Sequence, residues 1–228
     1  MAQVLNDYNN PNYIALRKQL EFNGRFNGAW YYSHTICDKI APLIKTKRTI
    51  DSIGKQTCGC EDGAIVFIHA NTGVEDNYAW LSRYKDLILV SNNDATTEIL
   101  SKMFPQSHAI TVPVSVDVEE VLTHNHEKEY EACYAGNLWG FKLEDVKKYV
   151  PEEVPKFSNI PRYDLLEIIS RYKNVYAVGI TAVEAKVLGC NILVCDHRFP
   201  DPEYWQPLDY KDAAKILQAK IDEIDKNE

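Results

Sequence analysis

Residues 176–196 constrain the fold of this chain more than any other part of the sequence. An apolar stretch runs into Gly179, a stretch with helical spacing follows, and Gly189 separates it from a second apolar stretch at 192–194. A strand, a glycine turn, a helix, a glycine stop and a second strand make a βαβ unit with two parallel strands. The segment therefore predicts an α/β protein.

The same alternation recurs over most of the chain. Apolar runs rich in β-branched residues predict strands, and amphipathic stretches predict helices. The strand-like runs are 64–68, 86–90, 109–113 and 131–135, and the helix-like stretches are 94–103, 162–171 and 210–224. Parallel sheets with crossover helices follow from this order.

Three further predictions concern the segments between these elements. Ser91 or Asn92 is the expected cap of the helix at 94–103. Residues 151–161 predict an irregular connection. Residues 116–126 turn polar and predict a linker, so we expect two Rossmann-like lobes, residues 1–122 and residues 123–228, the first of them short.

Composition and charge disfavour one class of function. Hydrophobic residues make up 45% and charged residues 25%, the balance of a globular protein. The net charge is −8 and the basic residues are scattered, which disfavours a nucleic-acid-binding surface. The cluster of basic residues at 45–48 is expected to be a solvated turn.

The sequence also favours a cytoplasmic protein. The first ten residues lack the basic and apolar pattern of a signal peptide, and no apolar run approaches the ~18 residues of a membrane span. The six cysteines are expected to be reduced, with Cys133, Cys190 and Cys195 buried as small hydrophobic residues.

The turn at Gly179 carries the chemistry of the βαβ unit. Its glycine lets the backbone approach a ligand closely, and the free N–H groups of Ile180, Thr181 and Ala182 at a helix start suit a diphosphate. Glu184 lies one turn further and would accept hydrogen bonds from ribose hydroxyls. A βαβ unit with no ligand is the alternative.

Residues 176–196 resemble the donor-binding segment of retaining GT-B glycosyltransferases of the family 4 type. There an acidic residue precedes a glycine turn, and a glutamate followed by alanine lies in the next helix, before a glycine and a buried strand. Glu184, Ala185 and Gly189 match this pattern, and Gly179 matches the last glycine of the turn. Tyr176 stands where the family has its first acidic residue.

Residues 136–142 resemble a second segment of that family, a glycine, an arginine and a leucine followed by a lysine. The family uses the arginine and the lysine to neutralise the leaving diphosphate. Gly136 and Lys142 match, and Asn137 replaces the arginine, which removes one cation. His69 follows the strand at 64–68 and resembles a histidine of the acceptor lobe that lies near the sugar. The resemblance thus implies His69 and Lys142 as catalytic residues.

The resemblance covers residues 64–224 and implies a GT-B-like fold of two Rossmann-like lobes with a shortened N-terminal lobe. It implies a nucleoside-diphosphate sugar as substrate, with a UDP-sugar favoured, and neither a metal nor a cofactor. The acceptor, which is a glycan, a protein or a modified nucleic acid, and a homo-oligomeric state are left open. UDP-sugar 2-epimerases share the same arrangement. A non-catalytic nucleotide-binding protein and a structural α/β subunit are the alternatives.

Other polar residues are weaker candidates. A metal site at His124, His126 and Glu127 is the alternative to a solvated linker. The candidate bases that the sequence does not rank are Asp38, Asp94 and Asp117.

Overall fold

The structure, a computed structural model, describes residues 3–4, 35–51, 60–68, 74–136, 146–158 and 160–227. These residues form two compact units, each built on a parallel β-sheet, which confirms the α/β, Rossmann-like class. Of the described residues, the first unit contains those before Val114 and those from Tyr210 onward. The described residues from Val114 to Asp209 form the second unit.

The first unit has a five-stranded sheet whose strands lie side by side in chain order. Its strands are β1 (Gln3–Val4), β2 (Thr49–Asp51), β3 (Ile65–Phe67), β4 (Ile88–Ser91) and β5 (His108–Thr111). Its helices before Val114 are the π-helical turn Thr35–Ile40, the 3-10 turn Ala41–Leu43, α1 (Val74–Tyr78) with the 3-10 turn Ala79–Arg83, and α2 (Asp94–Met103). Strands β3 and β4 are buried at every residue, as expected for parallel strands covered on both faces.

The cap of α2 differs from the sequence prediction. Asn93 is the cap, and its side-chain oxygen accepts a hydrogen bond from the Thr96 N–H at 2.8 Å. Ser91 belongs to β4, and its Oγ donates to the Asn93 carbonyl oxygen at 2.8 Å. The strand extends one residue beyond its apolar run, and the cap moves with it.

The second unit has a four-stranded sheet in the order β7-β6-β8-β9. Within the described residues, its elements are α3 (Val118–Leu122), β6 (Tyr130–Ala135), β7 (Lys156–Phe157), α4 (Arg162–Ile169), β8 (Tyr172–Tyr176), α5 (Ile180–Val187), β9 (Asn191–Leu193) and the 3-10 turn Pro202–Tyr204. The prediction was wrong on two points, because α3 lies in the expected linker and β7 in the expected irregular segment. Both elements are too short to show a period.

Two residues explain why α3 forms. Asp117 caps it, since Oδ1 of Asp117 accepts a hydrogen bond from the Glu120 N–H at 3.0 Å. Val121 is buried in the core of the second unit. The polar sequence of this segment is therefore that of a short helix with one buried side.

The sequence predicted one boundary between the lobes, at 122/123, whereas the compact units of the structure meet at other points of the chain. Val114 and Val116 are already in the core of the second unit, and the Val116 N–H donates to the Leu208 carbonyl oxygen at 3.0 Å. The C-terminal helix α6 (Tyr210–Asn227) belongs to the first unit. There Asp225 of α6 pairs with Arg48 at 2.9 Å.

Cys133, Cys190 and Cys195 are buried, as the sequence predicted. Burial raises the pKa of the Cys133 and Cys195 thiols to about 12. These side chains therefore act as packing groups at neutral pH. Among the described residues, no helix combines the length and the apolar composition that a membrane span requires.

Candidate functional site

The strand order of the second unit reverses between β6 and β8. The chain passes from β6 to β7 on one side and then to β8 on the other side of β6. Ligands of open α/β sheets bind outside the carboxyl ends of the strands at such a reversal. Tyr134 of β6 is paired with Tyr176 of β8, so Gly136 and the turn at Gly179 lie at this same edge of the sheet.

Gly179 has a backbone conformation that other residues rarely adopt. Its φ is 66° and its ψ is −143°. A Cβ built on Gly179 would meet no described heavy atom within 4 Å. Backbone conformation, and not crowding, therefore requires glycine here. The sequence prediction of a glycine turn before α5 is confirmed.

The N-terminus of α5 has no side-chain cap and no acidic residue in its first turn. The N–H groups of Ala182 and Val183 donate to the Gly179 carbonyl oxygen at 3.1 and 3.2 Å. No described residue accepts a hydrogen bond from the N–H groups of Ile180 and Thr181. These two groups, at the positive end of the helix dipole, are suited to an anion. Ala182 differs from the predicted set because its N–H is already engaged.

The Nζ atom of Lys128 lies at the C-terminal ends of both α4 and α5. Its Nζ donates to the carbonyl oxygens of Ser170 at 2.7 Å and Leu188 at 2.8 Å, and to Sγ of Cys190 at 3.1 Å. A cation at a helix C-terminus satisfies the last carbonyl groups and the helix dipole. Gly189, with a φ of 75°, ends α5 in the left-handed conformation that the sequence predicted as a glycine stop.

Glu184 is buried and ion-paired. The residue is 2% exposed, and its Oε1 accepts a hydrogen bond from Nε of Arg162 at 2.7 Å. Nη1 of Arg162 donates to Oε1 of Glu120 at 2.9 Å. Burial raises the pKa of Glu184, and the adjacent guanidinium opposes that rise. We call these three residues, from α3, α4 and α5, the ion triad. The ribose contact of Glu184 stays a prediction.

Arg162 and Glu120 are the residues of this region that sequence reasoning missed. Arg162 lies on the buried side of α4 together with Leu166 and Ile169. An arginine in register with the apolar residues of a helix was the available signal for a buried ion pair. Its partners come from two other helices, so no local pattern identified them.

Several predicted site residues remain to be placed. The Gly136 N–H donates to the carbonyl oxygen of Phe157 at 3.1 Å, so this group serves the sheet. His69, Asn137 and Lys142 lie outside the described residues.

His124 and His126 direct their hydrogen bonds to Glu167 of α4. Nδ1 of His124 lies 2.6 Å from Oε1 of Glu167, and Nε2 of His126 contacts Oε2. The hydrogen bonds of His126 and His124 lower the pKa of Glu167. In the described parts of the chain, no group of His, Cys, Asp and Glu residues has an arrangement that would hold a metal ion.

Further candidates have structural partners. Oδ1 of Asp94 accepts a hydrogen bond from the Thr111 hydroxyl at 2.6 Å, and Asp117 caps α3. In the basic segment 45–48, Nη1 of Arg48 donates to the carbonyl oxygens of Gly63 and Asp86, both at 3.1 Å. Asp38 is exposed on the π-helical turn. None of these contacts favours one residue as a base.

Comparison with protein-family models finds no match for the chain, and comparison with curated proteins finds none either. Function is therefore inferred from the geometry of the site and from the resemblance of its residues.

Proposed function

We propose that the second unit binds a nucleoside diphosphate at the carboxyl edge of its sheet and that the protein transfers a sugar from a nucleoside-diphosphate sugar. The uncapped N-terminus of α5, behind the left-handed Gly179 and beside the strand reversal, supports the proposal. The resemblance of residues 176–196 to a GT-B donor-binding segment favours a UDP-sugar within a two-lobe enzyme. The acceptor is a glycan, a protein or a modified nucleic acid.

The proposed catalysis is electrostatic. The bond between the sugar and the diphosphate breaks, and negative charge grows on the leaving diphosphate. The oxygen of an acceptor hydroxyl bonds to the sugar, and its proton passes to a diphosphate oxygen. The N–H groups of Ile180 and Thr181 would stabilise that charge. By resemblance, Lys142 would supply a cation beside the diphosphate, and His69 would contact the sugar.

A non-catalytic nucleotide-binding protein is the second candidate. Asn137 in place of an arginine and Tyr176 in place of an acidic residue favour it, because both replacements remove charge from the expected donor site. The two candidates differ in turnover, since a binding protein would hold the diphosphate without breaking any bond.

The first experiment measures thermal unfolding with UDP, ADP, GDP and their sugar conjugates. A ligand at about 100 times its Kd stabilises the folded protein by about 2.7 kcal/mol, so one diphosphate family should raise the unfolding temperature. Gly179→Ala should abolish the shift, because alanine is strained at positive φ and moves the first turn of α5. No shift with any diphosphate at millimolar concentration would refute the site.

The second experiment measures release of the diphosphate from the sugar conjugate that binds. Lys142→Ala should slow this release strongly if the enzyme proposal holds. Lys147→Ala is the matched control, because Lys147 is an exposed lysine close in sequence. Binding without release in the wild type, tested with a panel of acceptors, would favour the second candidate.

A further inference from the structure

Tyr134 is a buried tyrosine of the second unit whose hydroxyl group is not used by the fold. It is the penultimate residue of β6 and is 4% exposed. Among the described residues, none makes a hydrogen bond with its hydroxyl oxygen, Oη. The hydroxyl of a buried tyrosine usually has a hydrogen-bond partner, because a buried polar group without one is unfavourable. The hydroxyl of Tyr134 is therefore available to a bound molecule.

This hydroxyl lies at the carboxyl edge of the sheet. A Cβ built on Gly136 would lie 3.4 Å from Oη of Tyr134, so the side chain runs along β6 toward the end of the strand. Tyr134 and Cys195 belong to one hydrophobic cluster, and Val178 packs against that cluster. Val178 directly precedes Gly179, from which α5 begins. The hydroxyl and the uncapped start of α5 therefore lie at the same end of the sheet.

The surroundings of Tyr134 keep its hydroxyl a neutral hydrogen-bond donor. Burial, together with Cys195 and Asp196, raises the pKa of Tyr134 to about 12, so the phenol keeps its proton at neutral pH. The charge of Asp196 is compensated by Arg198, whose Nη2 donates to Oδ2 of Asp196 at 2.7 Å. An anion at this edge would therefore meet a hydroxyl donor and a paired carboxylate.

We infer that Tyr134 is a binding residue of the diphosphate site and that its hydroxyl donates a hydrogen bond to a phosphate oxygen of the ligand. The inference rests on the proposed function and adds a side chain to the backbone N–H groups of Ile180 and Thr181. Tyr134 comes from β6 and these N–H groups follow β8, so the ligand lies across the reversal of strand order. A phosphate oxygen is the expected acceptor, because a hydrogen bond to a charged oxygen is stronger than one between neutral groups.

The test compares the wild type with Tyr134→Phe by titration calorimetry of UDP, ADP and GDP on the full chain. Loss of the hydroxyl should weaken binding of the preferred diphosphate by about tenfold to a hundredfold, the contribution of a hydrogen bond to a charged group. The unfolding temperature without ligand should not fall, because no described residue bonds to this hydroxyl. Tyr172→Phe is the matched control and should bind as the wild type does, because Tyr172 begins β8 at the amino edge of the same sheet.

Four results would overturn the inference. Equal affinity of the wild type and Tyr134→Phe would do so and would leave the diphosphate site standing. A lower unfolding temperature of Tyr134→Phe without ligand, or equally weakened binding in Tyr172→Phe, would show that the hydroxyl acts through the fold. Identical ³¹P resonances of the diphosphate bound to the wild type and to Tyr134→Phe would place the contact on another part of the ligand. If the wild type binds none of the three compounds, the proposed function fails and the inference fails with it.

Discussion

Helices α2 and α5 occupy equivalent places in the two units, but their N-termini differ in capping and in charge. Each follows the carboxyl end of a parallel strand, α2 after β4 and α5 after β8. Asn93 caps α2, and Asp94 adds a negative charge to its first turn. Gly179 precedes α5 without a side-chain cap, and its first turn carries no acid. The βα geometry alone therefore does not make an anion site, and the residues at the helix start decide whether it stays open.

The two sheets also differ in the order of their strands. The described strands of the first unit lie in chain order, so no reversal separates them. The strand order of the second unit reverses between β6 and β8, at the edge where α5 begins with an uncapped N-terminus. Strand order and cap chemistry thus favour a ligand site in the second unit.

Breaking the ion triad should give the largest effect, and it should be confined to the second unit. Arg162→Met leaves Glu184 buried without its closest cation, at a cost of about 3–5 kcal/mol in the free energy of unfolding. Hydrogen exchange should become faster in α5, with α2 as the internal reference.

Two controls test this origin. Because burial raises the pKa of Glu184, protonation at lower pH should recover part of the lost stability, and stability should fall as the pH rises through that pKa. Removing both charges in Arg162→Met with Glu184→Leu should also recover most of it. Equal loss of protection in α2 and α5 would contradict the assignment.

Making α5 resemble α2 should weaken ligand binding by the next largest amount. Thr181→Asp places a carboxylate in the first turn of α5, as Asp94 does in α2. Two negative charges a few ångströms apart repel strongly near a protein surface, so we expect roughly tenfold weaker diphosphate binding. Thr181→Asn has nearly the same shape without the charge. If both variants bind equally, charge at the helix start does not control the site.

Removing the cap of α2 should have a smaller effect, and only on stability. Asn93→Ala leaves the Thr96 N–H without its acceptor and should cost about 1 kcal/mol in urea unfolding. Asn93→Gly should cost only a few tenths of a kcal/mol. Neither change should alter diphosphate affinity, and a weakened affinity would show that the difference between the helices is not local.

The smallest effect is expected from Glu167. The hydrogen bonds of His126 and His124 hold its pKa below 4.5, so their stabilisation is present above that value and is lost as the pH falls through the lower, folded-state pKa. Glu167→Gln should therefore show a slightly smaller loss of stability than the wild type between about pH 5 and about pH 3. Urea unfolding over this range measures the difference, and identical profiles would exclude a contribution from the contact.

Elements with a clear period and the glycines were predictable from sequence. Helices α2 and α4 follow amphipathic patterns, and strand β3 follows a continuous apolar run. The positive φ angles of Gly179 and Gly189 follow from a glycine on each side of a helix. Strand β7 consists of Lys156 and Phe157 and exists because β6 lies beside it. A pairing partner distant in sequence leaves no local signal.

The triad was unpredictable for a related reason. Glu184 occupies the same position in the sequence with or without an arginine beside it, and only the packing of α4 and α3 brings Arg162 and Glu120 into contact in this region. The α6 helix had a readable amphipathic pattern, yet its place in the first unit depends on contacts such as Arg48 with Asp225.

The three hydrogen bonds of Lys128 make the reactivity of its amine a measure of local opening. All three of its N–H donors are in use, on Ser170, Leu188 and Cys190, and acylation requires a free lone pair on that nitrogen. Lys128 should therefore be among the slowest lysines of the folded chain to react with an acylating reagent. An acylated Lys128 is neutral, so it can no longer stabilise the C-terminal ends of α4 and α5 as a cation. Each label on Lys128 would thus record, as a permanent gain in mass, one opening of the second unit.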